Sequence, residues 1–448
     1  MKITLIKPNI GRREHSLYVD EARMEPLQLG ILAALTPPDI DVCLYDDRME
    51  EIPYDEPADL VCITVETFTA KRAYEISSEY RRRNVKVIMG GMHVKLIPEE
   101  VAEHCDSIMI GDAEDKWGQM IEDLRIGFLK KIYTCNPVLI PQAGVITRRD
   151  IFKDKGYLPI TLLQFSRGCP YSCNYCASSV YFNKQHYTRK VEEVIQEIKS
   201  QERKTLFFVD DNIVGNKEKA KELFRALIPL NVKWVSQASL DMLKDKELMG
   251  LMMESGCLGH VIGFESIKQD SINTMKKSIN KSYVENKYKG AIEELRNLGL
   301  QTWAAFTLGH EEDTLDSIEE TYEFAVKNKF TFAAYNILMP YPGTELYNKL
   351  NKENRLLYDS KWWLSPEYKF NYAAYIPKNM TAHELTKASF LCREKYNSLK
   401  SIVYRAFDFK TNMRNPYRFI VYCIYNPIFK REVFEKQGMN LGYEETKK

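Results

Sequence analysis

The sequence lacks an excess of charge of either sign, since its 63 Lys and Arg residues nearly balance its 62 Asp and Glu residues. No global field therefore draws the protein to nucleic acid or to an anionic membrane. Long hydrophobic runs are also missing. The apolar stretch 419–425 is too short to cross a bilayer, and the apolar start of the chain is too short for a signal peptide. We expect a cytoplasmic protein without nucleic-acid partners.

The composition is that of a folded chain of more than one domain. Hydrophobic residues make up 44% and charged residues 28% of 448 residues, which fits two or three globular units. Ten cysteines occur without a secretion signal, so we expect reduced thiols and a metal or cluster site rather than a disulfide framework.

Short β-rich runs alternate with helical patterns through the first 126 residues. The predicted strands are 3–6, 42–45, 60–64, 85–89 and 107–110, an alternation typical of a doubly wound parallel sheet. Ligands bind outside the carboxyl ends of such strands. Three of these ends carry small or polar residues, in the runs Thr64 to Thr67, Gly90 to His93 and Gly111 to Glu114. Small and polar residues at these positions would equally be explained by tight strand-to-helix turns without a ligand.

Three cysteines form a compact motif after the predicted strand 160–165. The run Ser166-Arg-Gly-Cys169-Pro-Tyr-Ser-Cys173-Asn-Tyr-Cys176 places three thiols on one loop, enough to hold three irons of a 4Fe-4S cube and leave the fourth open. A zinc site would need a fourth ligand nearby, and His186 lies outside the usual spacing. A ferredoxin-type electron carrier would also need a fourth cysteine.

Six strand-then-helix units follow and predict a partial (β/α)6 barrel. Their strands are predicted near 160–165, 205–210, 232–237, 259–264, 301–307 and 332–338. Catalytic groups of β/α barrels lie at the carboxyl ends of the strands. The candidates there are Asp210, Asp211, Asn212, Gln237, Gly263, Glu265, Ser266, Thr307, Gly309 and Asn336. Helix caps or solvated turns would also account for single members of this set.

Taken together, these motifs resemble a known family. The cysteine motif with its preceding Arg-Gly resembles the signature of radical S-adenosylmethionine (SAM) enzymes, and the runs 59–67, 90–93 and 111–114 resemble the cobalamin-binding domain that precedes the radical domain in many of them. The resemblance covers about residues 1–400, including 306–314 and 341–347. It implies a Rossmann-like cobalamin-binding domain at 1–135, a radical SAM barrel at 136–350 and a C-terminal helical domain at 351–448 that helps close the barrel mouth.

The resemblance also implies cofactors and their sites. A 4Fe-4S cluster would bind Cys169, Cys173 and Cys176, and SAM would chelate its open iron, with Tyr175 near the adenine and Glu265 near the ribose or amino-acid portion. Gln237, Gly263 and Thr307 are further expected SAM contacts. For cobalamin the expected contacts are Thr64, Thr67, Gly90, Gly91, His93, Gly111 and Glu114.

One departure from the family pattern concerns cobalt. The cobalt-ligating Asp-x-His-x-x-Gly motif is missing, because His15, the histidine of that loop, lacks both the Asp and the Gly. The resemblance therefore implies cobalamin bound without a histidine ligand on cobalt. His93 follows two glycines, and we expect it to have a structural or corrin-contacting role.

The implied activity is reductive cleavage of SAM to a 5'-deoxyadenosyl radical, used for cobalamin-dependent methylation of an unactivated carbon. The expected partners are a small-molecule or lipid substrate and a low-potential electron donor such as flavodoxin or ferredoxin. A radical cyclase, oxidoreductase or rearrangement enzyme of the same architecture remains an alternative. A tRNA methylthiotransferase would need a second cysteine trio, for which Cys43, Cys62 and Cys105 are dispersed. A non-catalytic metal-binding module is the remaining class.

The last hundred residues lose the strand–helix alternation. Aromatic-rich helices are predicted at 362–363, 368–375 and 382–406. The run 417–429 interleaves Tyr, Phe and Ile with Arg414, Arg418, Lys430 and Arg431. Such a run forms either a lipid-facing surface that contacts the membrane peripherally or a packed helix with a solvated rim.

Overall fold

A computed structural model describes residues 1–12, 23–136, 145–284 and 287–443. His15 lies outside these residues. Within the described ranges the chain forms two six-stranded parallel sheets and a C-terminal group of helices. None of the described helices combines the length and the apolar character needed to span a membrane.

The first sheet is the predicted doubly wound sheet, with strand order β2-β1-β3-β4-β5-β6 and every pair parallel. Its elements are β1 (Lys2–Lys7), α1 (Leu27–Leu35), β2 (Asp41–Asp46), β3 (Leu60–Thr64), α2 (Ala70–Arg82), β4 (Lys86–Gly90), α3 (Met92–Leu96), α4 (Pro98–Glu103), β5 (Ser107–Ile110), α5 (Trp117–Arg125) and β6 (Ile132–Thr134). The edge strand β6 escaped prediction because Tyr133 is its only buried residue, which leaves no apolar run to recognise.

The second sheet is the predicted six-stranded partial barrel. Its strands are parallel and neighbour one another in chain order, β7-β10-β11-β12-β13-β14. The elements are β7 (Thr161–Leu163), β8 (Ser166–Gly168), α6 (Ala177–Tyr181), β9 (His186–Thr188), α7 (Val191–Lys199), β10 (Thr205–Phe208), α8 (Lys217–Leu227), β11 (Lys233–Ala238), α9 (Lys246–Glu254), β12 (Cys257–Glu265), α10 (Gln269–Thr274), α11 (Lys287–Leu298), β13 (Gln301–Leu308), α12 (Leu315–Lys327), β14 (Phe332–Ile337) and α13 (Glu345–Lys352). Strands β8 and β9 form a separate antiparallel ribbon.

Alternation along the barrel strands separates an outer apolar layer from the lumen. In β13, Ala304, Phe306 and Leu308 are buried in the core shared with the surrounding helices, whereas the residues between them are only partly buried. Successive strand side chains point to opposite faces, so Trp303 and Thr307 face the lumen.

The C-terminal region differs from its prediction in two respects. Its helices are α14 (Ala382–Tyr396), α15 (Leu399–Ala406) and α16 (Pro416–Lys436). Residues 362–363 and 368–375 are not helical. They form turns, bends and isolated bridges, in which Trp362, Trp363, Tyr368 and Tyr375 are buried in the core. The predicted helix 382–406 is interrupted at Asn397 and Ser398, where Ser398 caps α15.

The position of α16 also differs from expectation. Arg418 of α16 donates a hydrogen bond of 3.0 Å to the Leu258 carbonyl at the start of β12, and Phe429 packs against Trp303 and Phe332 at ring distances of 4.7 and 4.9 Å. Helix α16 therefore lies at the amino-terminal ends of the strands, opposite the barrel mouth. The fold class is confirmed, whereas the domain boundaries at 135 and 350 stay predictions.

Candidate active site

The three cysteines lie on the loop between β8 and α6, at the carboxyl end of the barrel. All three are half-buried, and Cys176 is the N-cap residue of α6, with its amide donating to the Cys173 carbonyl at 3.2 Å. The loop has no strand or helix of its own, so its conformation depends on contacts with neighbouring elements.

Two consecutive carboxylates after β10 hold both ends of this loop. Asp210 is fully buried and accepts hydrogen bonds from the Phe165 amide at 3.1 Å and from the amide and hydroxyl of Ser166. Asp211 accepts from the Gly168 amide at 2.9 Å and from the Ser178 hydroxyl at 2.6 Å. Residues on either side of the cysteines are thus fixed to the end of one barrel strand.

The opposite side of the loop is fixed by Asn174. Its side-chain amide donates to the Thr274 carbonyl at 3.0 Å, its backbone amide donates to Met275, and its carbonyl accepts from the Leu346 amide at 3.0 Å. The loop is therefore attached to the ends of α10 and α13 as well as to β10.

The thiols lie in a partly buried environment with one ammonium nearby. Burial raises the pKa of Cys169 and raises that of Cys173 to about 11, while the nearby Lys277 ammonium opposes both shifts. In the described ranges, no three His, Cys, Asp or Glu side chains converge on one ion position. A cluster accepts each sulfur at a separate iron, so three thiols on one loop fit it without converging on a single ion.

Next to the cysteines, Glu265 and Lys277 form a buried ion pair of 2.6 Å. Glu265 ends β12 with a φ of 63°, a conformation that non-glycine residues adopt at a cost and often at functional sites. A Cβ on Gly263 would meet the Glu265 carboxylate and would lie 2.6 Å from Lys277 Nζ, so a larger residue at position 263 would displace this ion pair. Burial and the Glu265 charge raise the pKa of Tyr175 well above its ordinary value.

The remaining two expected SAM contacts lie on the lumen side of the barrel. Thr307 is hydrogen-bonded to His310 at 2.8 Å, and the exposed side chain of Gln237 lies on the same face of β11 as Val235. Below them, a mostly apolar cavity of about 180 Å³ lies between the amino-terminal halves of the strands and α16. Its lining includes Phe207, Val261 and Trp303.

A second cavity, of about 240 Å³, lies at the carboxyl ends of the first sheet. Of the expected cobalamin contacts, the lining includes Thr64, Gly90, Gly91, Gly111 and Glu114. A Cβ on Gly90 would meet nothing closer than 3.7 Å. Neither packing nor a turn therefore requires glycine there, whereas a ligand that approaches the backbone closely would require it.

Arg167 connects this cavity with the cysteine loop. It lies in β8, two residues before Cys169, and pairs with Asp112 at 2.9 Å and with Glu114 at 2.6 Å. Tyr181 donates to the other oxygen of Asp112 at 2.9 Å. The barrel side of the cavity is thus built from residues that flank the cysteines.

Thr67 and His93 do not line that cavity. The Thr67 hydroxyl is 3.2 Å from Nδ1 of the fully buried His93, whose Nε2 is 3.5 Å from Glu100. Glu100 in turn accepts from the indole of Trp363 at 2.8 Å. These residues form a network that joins the first sheet to the C-terminal region, and burial lowers the pKa of His93.

Comparison with known proteins identifies the class of site. A model described as the Radical SAM superfamily matches residues 163–325. Bacteriochlorophyllide d C-8(2)-methyltransferase from Chlorobaculum tepidum is 30% identical over 371 residues, which cover 77% of this chain and 80% of that protein.

Two solved structures share the fold. The cobalamin-dependent S-adenosylmethionine radical enzyme OxsB superposes with a TM-score of 0.65 at 15% identity, over 96% of this chain and 71% of that one. The radical S-adenosylmethionine methyltransferase TsrM from Kitasatospora setae gives a TM-score of 0.62 at 15% identity, over 79% of this chain and 75% of that one.

The fold is that of an α/β protein whose cysteine loop lies at the mouth of a partial barrel. The chain belongs to the radical SAM superfamily and is a radical SAM enzyme. Enzymes of this superfamily use a 4Fe-4S cluster and SAM, act on small molecules and require a reductant.

Lys277 and the ion pairs of Arg167 were not foreseen from the sequence. Lys277 follows Lys276 in a run that looks solvent-exposed, and its partner Glu265 is twelve residues away on another element. Arg167 stood within the recognised motif, but nothing in the sequence linked it to Asp112 and Glu114.

We predict that Lys277→Met lowers the free energy of unfolding by about 3–5 kcal/mol, because it leaves the Glu265 carboxylate buried without a cation. Urea unfolding of the cluster-free chain measures this change. Adding Glu265→Gln should recover part of the loss, since it removes the uncompensated charge.

Lys276→Met is the matched control. Lys276 pairs with Glu345 at 2.5 Å, but both side chains are more than half exposed, so its loss should cost no more than about 1 kcal/mol. Equal costs at positions 276 and 277 would contradict the buried ion pair.

Proposed function

We propose that the protein transfers a methyl group from SAM to an unactivated carbon of a hydrophobic small molecule, with cobalamin as the methyl carrier. The observation that carries the proposal is the junction at Arg167, which joins a glycine-lined cavity of the first sheet to the cysteine loop of the barrel. The methyltransferase relative, 30% identical over most of both chains, supports it.

Cys169, Cys173 and Cys176 are the proposed cluster ligands. When bound, the cluster supplies the electron that cleaves the carbon–sulfur bond of SAM. The chain's own contribution is to hold the loop rigid through Asp210, Asp211 and Asn174, so that the thiols are already positioned before the cluster binds.

Glu265, Lys277 and Tyr175 are the proposed binding groups for SAM. A buried carboxylate beside an ammonium offers one partner for the amino group and one for the carboxylate of the methionine portion. Tyr175 packs at the edge of the barrel core, where its ring offers a face to adenine. Gly263 leaves room beneath the pair, and Gln237 and Thr307 face the lumen above the apolar cavity.

Thr64, Gly90, Gly91, Gly111 and Glu114 are the proposed cobalamin contacts. Cobalamin, when bound, carries the methyl group. No histidine is among these lining residues, so we propose binding without a histidine ligand on cobalt. Thr67 and His93 would act indirectly, by fixing the strand end through the Glu100 network.

The substrate site is proposed to lie in the lumen between the cysteine loop and the apolar cavity. Its lower part is aromatic and aliphatic, and Thr307 and Asn336 supply polar groups at its upper rim. This arrangement favours a substrate with a large apolar part and few polar groups. Flavodoxin or ferredoxin is the proposed electron donor.

Iron content tests the cluster. We expect the anaerobically reconstituted chain to bind about four irons, and Cys173→Ser to lose most of that iron together with reductive cleavage of SAM under dithionite. Cys43→Ser is the matched control and should retain both. About eight irons per chain would instead support a second cluster and the methylthiotransferase alternative.

A cavity-filling substitution tests cobalamin. Gly90→Leu should weaken cobalamin binding at least about tenfold, because the added side chain occupies the cavity. The visible absorption of protein-bound cobalamin after gel filtration measures it. Gly118→Leu, on the exposed face of α5 where a Cβ meets nothing within 4 Å, should bind like the parent chain; equal binding by both variants would contradict the site.

Isotope transfer tests the reaction. With SAM that carries a trideuterated methyl group, we expect a product that contains the intact labelled methyl when bacteriochlorophyllide d or other hydrophobic small molecules are supplied. Mass spectrometry detects it. Consumption of substrate to an oxidised or cyclised product without label, by enzyme that holds cobalamin, would favour the cyclase alternative.

A further inference from the structure

The surface of α15, α16 and their connection is unusually apolar. Eight of the eighteen exposed large hydrophobic side chains of the described residues fall between 399 and 424, and each is 44–71% exposed. We call them the C-terminal apolar surface: Leu399, Val403, Tyr404, Phe407, Phe409, Tyr417, Ile420 and Ile424. A group of large exposed apolar side chains on a soluble domain, unlike single scattered ones, marks an interaction site.

Helix α16 has the reverse of the polarity of an ordinary surface helix. Its buried residues are Arg418, Tyr422 and Asn426. Arg418 donates to the Leu258 carbonyl at 3.0 Å, and Tyr422 donates to the Ile402 carbonyl at 2.7 Å. The polar side chains of this helix therefore serve internal packing.

The exposed face of α16 is correspondingly uncharged over its first three turns. Its exposed residues there are Pro416, Tyr417, Ile420, Cys423, Ile424 and Pro427. Their spacing places them on one side of the helix. A packed helix with a solvated rim would show charged residues at these positions, so that alternative does not describe α16.

The segment that carries this surface is rich in basic residues. Between residues 399 and 431 there are seven basic residues and one acidic residue, Asp408. Asp408 is buried and paired with Arg296 at 3.0 Å. Lys400, Lys410 and Arg414 are exposed, although the whole chain is nearly neutral. Arg431 is also exposed and pairs with Glu435 at 3.4 Å.

We propose that the C-terminal apolar surface docks the enzyme onto an anionic lipid bilayer, with α16 lying in the interface. Apolar side chains flanked by cations match the acyl boundary and the headgroups of such a membrane. A second copy of the chain is disfavoured as occupant, because a two-fold contact would bring the same cations together.

The proposal also fixes the orientation of the enzyme. The inward face of α16 lies at the amino-terminal ends of the barrel strands, as the contacts of Arg418 and Phe429 show. The barrel floor therefore faces the lipid, and the cysteine loop at the opposite ends of the strands faces away from it.

Vesicle co-sedimentation of the full chain tests this. Vesicles made of equal parts phosphatidylglycerol and phosphatidylcholine should bind it at least about tenfold more tightly than pure phosphatidylcholine vesicles. Ile420→Glu with Ile424→Glu should abolish binding, because exposed charges then face the acyl region. Lys400→Glu with Lys410→Glu should remove the preference for the anionic lipid.

Ile126→Glu with Phe128→Glu is the control, since these residues are 76% and 66% exposed on the first domain, and it should bind like the parent chain. Absence of binding to anionic vesicles, or full binding by the Ile420 and Ile424 double variant, would overturn the proposal. So would sedimentation of the parent as a dimer that the double variant dissociates, without vesicle binding. The methyl-transfer assay is read separately, so neither result decides the other.

Discussion

The site depends first on the carboxylates of Asp210 and Asp211. The loop that presents the three thiols forms neither a strand nor a helix, so side chains must supply part of its backbone hydrogen bonding. Here consecutive acids at the end of β10 accept hydrogen bonds from residues before and after the cysteines. Burial raises the pKa of Asp210 to about 7, although Ser166 and Phe165 donate to it.

The hydrogen bonds that Asp210 and Asp211 accept also help to connect the two sheets. Between the fixed residues Ser166 and Gly168, the Arg167 side chain extends to Asp112 and Glu114, which follow β5. A guanidinium presents several donors in a rigid plane and can serve two carboxylates at once, which a lysine cannot do with comparable geometry. Arg167 and the Tyr181–Asp112 hydrogen bond thus join the cavity to the residues that flank the cysteine loop.

The inner strands of the first sheet could be predicted because they are buried on both faces, and the barrel strands because buried residues alternate with partly exposed ones. Leu60–Thr64 is apolar and wholly buried, and its strand was recognised to the residue. Strand β6 and the segment 368–375 were missed or misjudged because long-range packing determines them: Tyr133 alone is buried in β6, and Tyr375 bonds to the Gly309 carbonyl. The cysteine site could be predicted because its three residues are close together in the sequence. The Glu265–Lys277 ion pair could not, because the fold brings these two residues of different elements together.

The C-terminal helices show why residue type alone could not decide their role. The run 417–429 holds aromatic, aliphatic and basic residues in a mixture that suits either a packed helix or a lipid-facing one. The orientation of the side chains distinguishes a packed helix from a lipid-facing one. Arg418 donates to the Leu258 carbonyl, and Asn426 accepts from Arg405 at 3.2 Å. The polar side chains of α16 therefore make their hydrogen bonds inside the protein. The helix is then left with Ile420 and Ile424 facing outward, and none of the residues that the structure describes buries those side chains.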